Sequence, residues 1–353
     1  MLPQNEKIRQ YYQLCAEHFL PLFMQPWWME ATCQTKGGWN VLLVTVQDLK
    51  EQSTDPKGSK DPRASDSYAP VLDTMSPDRV VGAMPYYLGE KFKSSCFKQR
   101  FIIMPQLTQT AGLWIDPDLN QALEYTKAVV CHIESQLKGL KLHYFYQQID
   151  ESLKAWSQFS SAFLKKERYT YRVDLTKQSA EDLEKNMSKN KRRQLKRSRA
   201  SELIFDEACS PEAFYDFKVH GLKQQGKTIT YSKALFLTLV DTAQKRGQGK
   251  IIALRNAKKE LVAGVFLVYD AKVCYYLVPS FDLSQTKTGA MAAVTLSAMT
   301  WAKTQSQYFD FEGSMEPSIA LSYQQFGGEK VIYHSLERAY SFPMKLYFKL
   351  FRH

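Results

Sequence analysis

Two spacings of apolar residues alternate along the chain, and the switches between them mark the elements. "WNVLLVTV" from Trp39 and "RVVGAMPYYLG" from Arg79 are dense in β-branched and aromatic residues, which predicts strands, as does "RFIIMPQLT" from Arg100. "QALEYTKAVVCHIESQLKG" then repeats every three to four residues as a helix, and "LKLHYFYQQ" reads as another strand. The second half says the same again. "KIIALRNA", "LVAGVFLVYD" and "KVCYYLVPSF" are strands separated by short polar turns, "TGAMAAVTLSAMTWAKTQS" is a buried helix, and "YFDFEGS" is a strand. Strand, strand, strand, helix, strand therefore occurs twice. The expected fold is α/β with mixed sheets, built as two copies of one unit joined near Phe163 to Asp174, with domains at 1–165 and 166–353.

Between the first two strands, residues 48–78 are polar and rich in Pro, Ser and Asp, which reads as a long loop or disordered insertion within a strand pair. "SPEAFYDFKVHGLKQQ" and "SKALFLTLVDTAQKRG" are amphipathic helices, each with a serine N-cap candidate. "EPSIALSYQQFGG" is a short helix stopped at Gly327–Gly328, with the strand "KVIYHSLERAY" after it.

Charge sharpens this picture at one place. The formal net charge is +11, and the stretch "EKNMSKNKRRQLKRSRA" carries eight Lys or Arg from Lys185 to Arg199. A basicity this local suits a site or patch better than a surface coated for nucleic acid. As a helix over 185–200 it sets Lys189, Arg192, Arg193, Lys196 and Arg199 on one broad face, opposite Leu195. Read alone, such a face is either solvated or opposed by anions, and a grip on nucleic-acid phosphates is the alternative function it suggests. The six cysteines are dispersed without C-x-x-C, no Cys/His group has zinc spacing, and the six histidines are scattered, so no metal is expected. Reduced thiols, no apolar leader and no run near the ~20 residues of a spanning helix predict a cytoplasmic protein. The C-terminal "SFPMKLYFKLFRH" could give a weak peripheral contact at the inner face of a membrane.

Two further patterns carry candidate chemistry. In an extended "FDFEGS", Asp310 and Glu312 share one face, where a carboxylate could orient or deprotonate an attacking amine. Both could equally be structural, Asp310 bonded to backbone and Glu312 paired outward. Glu312, beside Gly313, is the stronger catalytic candidate. Tyr275, Tyr276 and Tyr323 are candidates for lining a cleft, although packing accounts for most of 20 tyrosines. No serine or cysteine stands in a nucleophile-elbow pattern, which argues for direct transfer without a covalent intermediate.

Three stretches together resemble one family. "NKRRQLKRSRASELIF", "FDFEGS" followed by "YQQFGG", and "QPWWMEA" near the start are similar to motifs of the Fem aminoacyltransferases, tandem members of the GNAT acyltransferase superfamily. The resemblance implies two GNAT-like domains and an acyl or aminoacyl transfer to an amine of an anionic acceptor, a phosphorylated small molecule or a lipid-linked one. It implies acyl-CoA or aminoacyl-tRNA as co-substrate, with tRNA then a partner, and no tightly bound cofactor. Arg192 falls where the family places an arginine on its phosphorylated acceptor, with Arg193 and Lys196 beside it, and Lys36 in "TCQTKGGWN" resembles an acceptor-contacting lysine. Donor phosphates would meet Gln285, Thr288 and Gly289 in "QTKTGAM", where one glycine of the family's Q/R-x-x-G-x-G/A pair is absent and the spacing is shifted.

Overall fold

The computed structural model describes residues 4–33, 38–54, 69–92, 98–119, 123–150, 157–313 and 315–351. These form two compact units, Met1–Glu167 with Tyr333–His353, and Arg168–Ile332.

In the first unit, α1 (Gln4–Glu17) and α2 (Pro26–Thr32) precede β1 (Trp39–Thr45), α3 (Val46–Thr54), α4 (Ala69–Asp73), β2 (Val80–Phe92), β3 (Lys98–Ile103) and β4 (Trp114–Ile115). Helix α5 (Leu123–Gly139) and β5 (Tyr144–Ile149) follow. Strands β1, β2 and β3 are an antiparallel meander, β5 lies parallel to β3, and the chain's last strand, β12 (Glu329–Ala339), runs antiparallel to β5 from His334 to Ala339. Val129, Ile133 and Leu137 of α5 are fully buried in this unit's core.

The insertion is more ordered than its composition suggested. Leu49 and Leu72 are buried in the same core, because Val46 and Leu49 on α3 and Leu72 on α4 present apolar faces at helical spacing. Only residues 55–68 of the expected loop lie outside the described ones. A second correction concerns the domain limits. The boundary expected at 165/166 falls at 167/168, and residues from Tyr333 onward, expected in the second domain, belong to the first. Backbone pairing of His334–Ala339 with Tyr144–Ile149 is what returns them there.

The second unit takes up the chain in β6 (Leu164–Asp174), then α6 (Ala180–Lys185), α7 (Lys189–Ala200), β7 (Ile204–Asp206), α8 (Pro211–Gln224) and α9 (Lys233–Lys245). Strands β8 (Gly249–Arg255), β9 (Leu261–Tyr269) and β10 (Val273–Phe281), helix α10 (Ala290–Ala302), β11 (Tyr308–Asp310) and α11 (Pro317–Gln324) complete it. Its order is β6-β11-β10-β9-β8-β7, with β10 and β11 parallel and the rest antiparallel. A meander, a helix, a parallel fourth strand and an antiparallel fifth are thus common to both units. Ser210 and Ser232 cap α8 and α9, each accepting from a backbone N–H three residues on, as their sequences implied. Helix α10 is rich in alanine, so Ala292, Ala298 and Ala302 reach the core beside Val265, Leu267 and Phe309. Helix α12 (Phe342–Phe351) closes the described chain.

Candidate active site

The site originates where two parallel strands part. Strands β10 and β11 pair over three residues, from Val273↔Tyr308 to Tyr275↔Asp310. Beyond Tyr275 the register of β10 with β9 shifts, and β10 continues to Phe281 while β11 stops. An irregularity of this kind bends the strand and increases its twist, and pairing with β9 resumes from Val278 to Phe281. Aromatic rings fill the wedge: Phe311 stacks on Tyr323 with centroids 4.7 Å apart, and Tyr276 meets Phe311 edge-on at 5.5 Å. Next to them is a cavity of about 530 Å³, bounded by β10, α7, α8, α11 and the segment leading into α10.

Of the three tyrosines proposed from sequence, Tyr276 and Tyr323 line this cavity, as do Gln285 and Gly289. The Tyr276 hydroxyl shares a 2.9 Å hydrogen bond with Thr295 Oγ1. Burial raises both phenols above the usual tyrosine range, and nearby Glu312 and Asp310 push Tyr323 further the same way, so both stay protonated. Tyr275 is buried outside the lining. Thr288 is a capping residue, its Oγ1 donating to the Gln285 carbonyl at 2.6 Å and accepting weakly from the Ala290 N–H.

Gly289 has φ +77°, and a Cβ there would stand 2.0 Å from the Gln194 carbonyl oxygen of α7. Its freedom therefore serves the approach of α7 to the start of α10 rather than the approach of a phosphate. Ala292 and Ala293 direct their N–H groups back to the Gly289 carbonyl.

The basic helix contributes differently from expectation. Ser188 caps α7, and its inward stripe is Lys191, Leu195 and Ser198, at i, i+4 and i+7. Arg192, Arg193 and Lys196 are exposed and lie outside the cavity lining. Arg192 donates to the Lys185 carbonyl at 2.7 Å, and Arg199 pairs with Glu184. Lys191 is the member that enters: it is 8% exposed, its Nζ donates to Ser322 Oγ at 2.8 Å and sits 4.2 Å from the centre of the Phe326 ring. Burial pulls it down to about 8. Sequence reasoning passed over Lys191 although its spacing to Leu195 and Ser198 was visible. Lys36 lies outside the described residues.

The two carboxylates separate into different roles. Asp310 is fully buried and engaged on every side. Its Oδ1 accepts from Thr170 Oγ1 at 2.5 Å and the Glu312 N–H at 2.7 Å, and its Oδ2 takes Arg172 through Nε at 3.0 Å and Nη2 at 2.9 Å. This is a structural anchor. Glu312 departs from the extended strand that sequence alternation assumed, with φ +60°. Gly313 follows at φ +61°, where a Cβ would fall 2.2 Å from the Tyr169 carbonyl oxygen, so the close approach there is made by the protein's own backbone. Glu312 Oε1 is buried without a hydrogen-bond partner. Burial, and then the charge of Asp310, hold the Glu312 carboxyl well above the usual range. Among the described residues no group of three or more His, Cys, Asp or Glu could hold a metal.

The sequence profile of the acetyltransferase (GNAT) domain matches residues 185–317. Among solved structures, FemX aligns over 100% of this chain and 99% of its own, with a TM-score of 0.62 at 11% identity. The C-terminal domain of a putative lysylphosphatidylglycerol synthetase from Agrobacterium fabrum aligns over 73% of this chain and 80% of its own (TM-score 0.48, 13% identity). A tandem GNAT protein from the clavulanic acid biosynthesis pathway aligns over 86% and 100% (TM-score 0.45, 11% identity). The likeness to FemX is one of fold. No curated protein sequence matches the chain. Residues 185–317, which supply the parting strands and the lysine-bearing helix, are thus similar to the acetyltransferase (GNAT) domain, and the chain shares its fold with FemX.

Proposed function

We propose that this chain is an acyltransferase that moves an acyl group from a thioester donor, an acyl-CoA, to an amine on an anionic acceptor. The observation that carries this reading is the cavity at the parting of β10 and β11, strands of the matched domain, walled by two protonated tyrosines, one of which, Tyr323, feels the nearby Glu312 carboxyl with its unused buried oxygen. The amine nitrogen attacks the thioester carbonyl, the C–S bond breaks, and the nitrogen loses a proton. Glu312, in its ionised form, takes that proton directly or through a water, and the Tyr323 hydroxyl can donate to the departing thiolate. Asp310 positions Glu312 by accepting from its backbone N–H. Aminoacyl-tRNA, the other donor implied by the Fem resemblance, has no support from the domain match.

The exposed Arg192, Arg193 and Lys196 would gather the anionic acceptor towards the same unit by long-range attraction. A nucleic-acid grip by this helix would instead make each arginine count about equally and steepen the salt dependence.

The test is amine-dependent release of free thiol from a series of acyl-CoAs, with amines carried on phosphorylated and carboxylated molecules. Turnover is expected with at least one pair, falling by roughly 100-fold or more in Glu312→Gln with donor KM little changed. Absence of both acyl-CoA binding and thiol release would overturn the reading.

A further inference from the structure

Three lysines line the cavity, Lys191 from α7, Lys218 from α8 and Lys227 just beyond α8. Two of them, Lys191 and Lys218, lack a compensating acid. The one acid in the lining is Asp282, whose Oδ1 already accepts from Gln224 Nε2 and the Ser284 N–H, both at 2.9 Å. Lys227 reaches Glu316 at 3.8 Å with both side chains more than half exposed. None of the ion pairs among the described residues involves Lys191 or Lys218.

Each of these two ammonium groups has one neutral hydrogen-bond acceptor, Ser322 Oγ for Lys191 and the Pro279 carbonyl, at 2.6 Å, for Lys218. An ammonium carries three N–H donors, so both retain donors for a guest. Lys218 resembles Lys191 in being held down at about 8, by burial first and by Lys227 second. A further group points the same way. Ser280 on β10 lines the cavity, is 2% exposed, and its Oγ has no hydrogen-bond partner. Buried polar atoms without partners are rare enough to call for a ligand or water. Elsewhere the walls are apolar, with Val262, Phe281 and Met291 among them.

We propose that Lys191 and Lys218, with the Ser280 hydroxyl, form an oxyanion subsite within this cavity, and that one substrate of the enzyme carries a carboxylate or phosphate seated there. This rests on reading the cavity as the transferase site. The subsite gives positive charge to a place where Gly289 is committed to packing on α7, so side chains take over anion recognition from the helix start. Charge-assisted bonds in a partly dry cavity are strong and directional, and an anion there would relieve the isolation of both cations.

The experiment is calorimetric titration of the full chain with two probes, inorganic pyrophosphate and glutarate. The variants are Lys191→Met, Lys218→Met and, as a charge control, Lys245→Met, whose lysine is exposed and paired with Asp241. Circular dichroism checks that each variant folds. At least one probe is expected to bind the wild type, to lose roughly 10- to 100-fold in affinity in each of the first two variants, and to change less than about twofold in the control. Binding of pyrophosphate assigns a phosphate-bearing substrate, and binding of glutarate a carboxylate-bearing one. Failure of both probes to bind, or equal losses in the control, would overturn the subsite. Thiol release that persists when neither probe binds would remove the subsite and leave the transferase. Specific anion binding without thiol release from any acyl-CoA would do the reverse.

Discussion

Lys191→Met tests the site through stability, independently of any substrate. The lysine stem lies in the core stripe of α7, and methionine keeps an unbranched apolar chain of similar length while removing the ammonium. In the folded protein the ammonium titrates at about 8, against an ordinary 10.5, because burial disfavours its charge. At about 1.4 kcal/mol per unit of that interval, keeping it charged costs the folded state on the order of 3 kcal/mol at pH 7. The sign follows from proton counting. Between about 8 and 10.5 the unfolded chain holds this proton and the folded one does not, so wild-type stability rises with pH across that window. Loss of the Ser322 hydrogen bond offsets part of the gain. The variant should therefore be more stable than wild type at pH 7, by up to about 3 kcal/mol, and the gap should narrow to about 1 kcal/mol at pH 10. Urea denaturation of both proteins at the two pH values reads this directly, since every other titrating group cancels in the comparison. A variant less stable at pH 7, or a gap that ignores pH, would refute the picture of a dry, uncompensated ammonium.

The remaining predictions address other parts of the second unit and the C-terminal helix. Glu312 has its folded value raised, so above 4.5, where the unfolded chain releases the proton, wild-type stability should fall at about 1.4 kcal/mol per pH unit until the folded value is reached. Glu312→Gln should flatten that decline, and equal slopes in urea titrations at several pH values would sink the idea. Gly289→Ala places a Cβ 2.0 Å from a backbone oxygen at φ +77°, so a loss well beyond the roughly 1–2 kcal/mol of left-handed strain should lower the melting temperature clearly. Helix α12 exposes Phe342, Leu346 and Leu350 at i, i+4 and i+8. If that stripe meets a lipid surface, replacing all three by serine should reduce co-sedimentation with anionic vesicles, and unchanged sedimentation would exclude it. No helix among the described residues is long and apolar enough to cross a membrane.

The repeat of elements was legible because local periodicity sets both copies, and the serine caps were legible because capping is a local hydrogen bond. Tyr276, Tyr323, Gln285 and Gly289 were proposed separately and prove to share one cavity. What escaped the sequence depended on phase or on distance. Lys191 and Arg192 are neighbours, yet one step along a helix turns about 100°, and a run of basic residues has too little polarity contrast to show which of them faces in. Leu195 and Ser198 were the residues able to set that phase. Asp310 and Glu312 were placed on one face by assuming extended backbone through residue 312, and the positive φ there breaks the alternation. The return of His334–Ala339 to Tyr144–Ile149 joins segments nearly two hundred residues apart, for which neither strand carries a local signal.

Two groups of the second unit, Lys191 and Glu312, are related through one set of aromatic rings. Lys191 lacks an acid and Glu312 Oε1 lacks any partner, and each lies beside the aromatic wedge of Phe311, Tyr323 and Phe326. If the two met, each would satisfy the other, Lys191 would return towards its ordinary value and Glu312 would drop into the carboxylate range. A chain of ring contacts runs from one to the other: Lys191 sits over the Phe326 ring, Phe326 stacks near Phe311, and Phe311 stacks on Tyr323, whose phenol in turn is raised by Glu312. An uncompensated cation thus lines the cavity, while a carboxylic acid held neutral by burial lies outside the lining, near Tyr323. A salt bridge between them would neutralise the cation that faces the cavity and hold Glu312 as a paired, weakly basic carboxylate. Phe326→Ala is the substitution that distinguishes these states. Removing that ring should cost roughly 3–5 kcal/mol in packing. If the wedge is what isolates the charges, it should also raise the Lys191 value from about 8, detectable by NMR titration of the lysine side chain. Loss of stability with Lys191 still titrating at about 8 would show that burial alone, and not the aromatic partition, sets the ammonium apart.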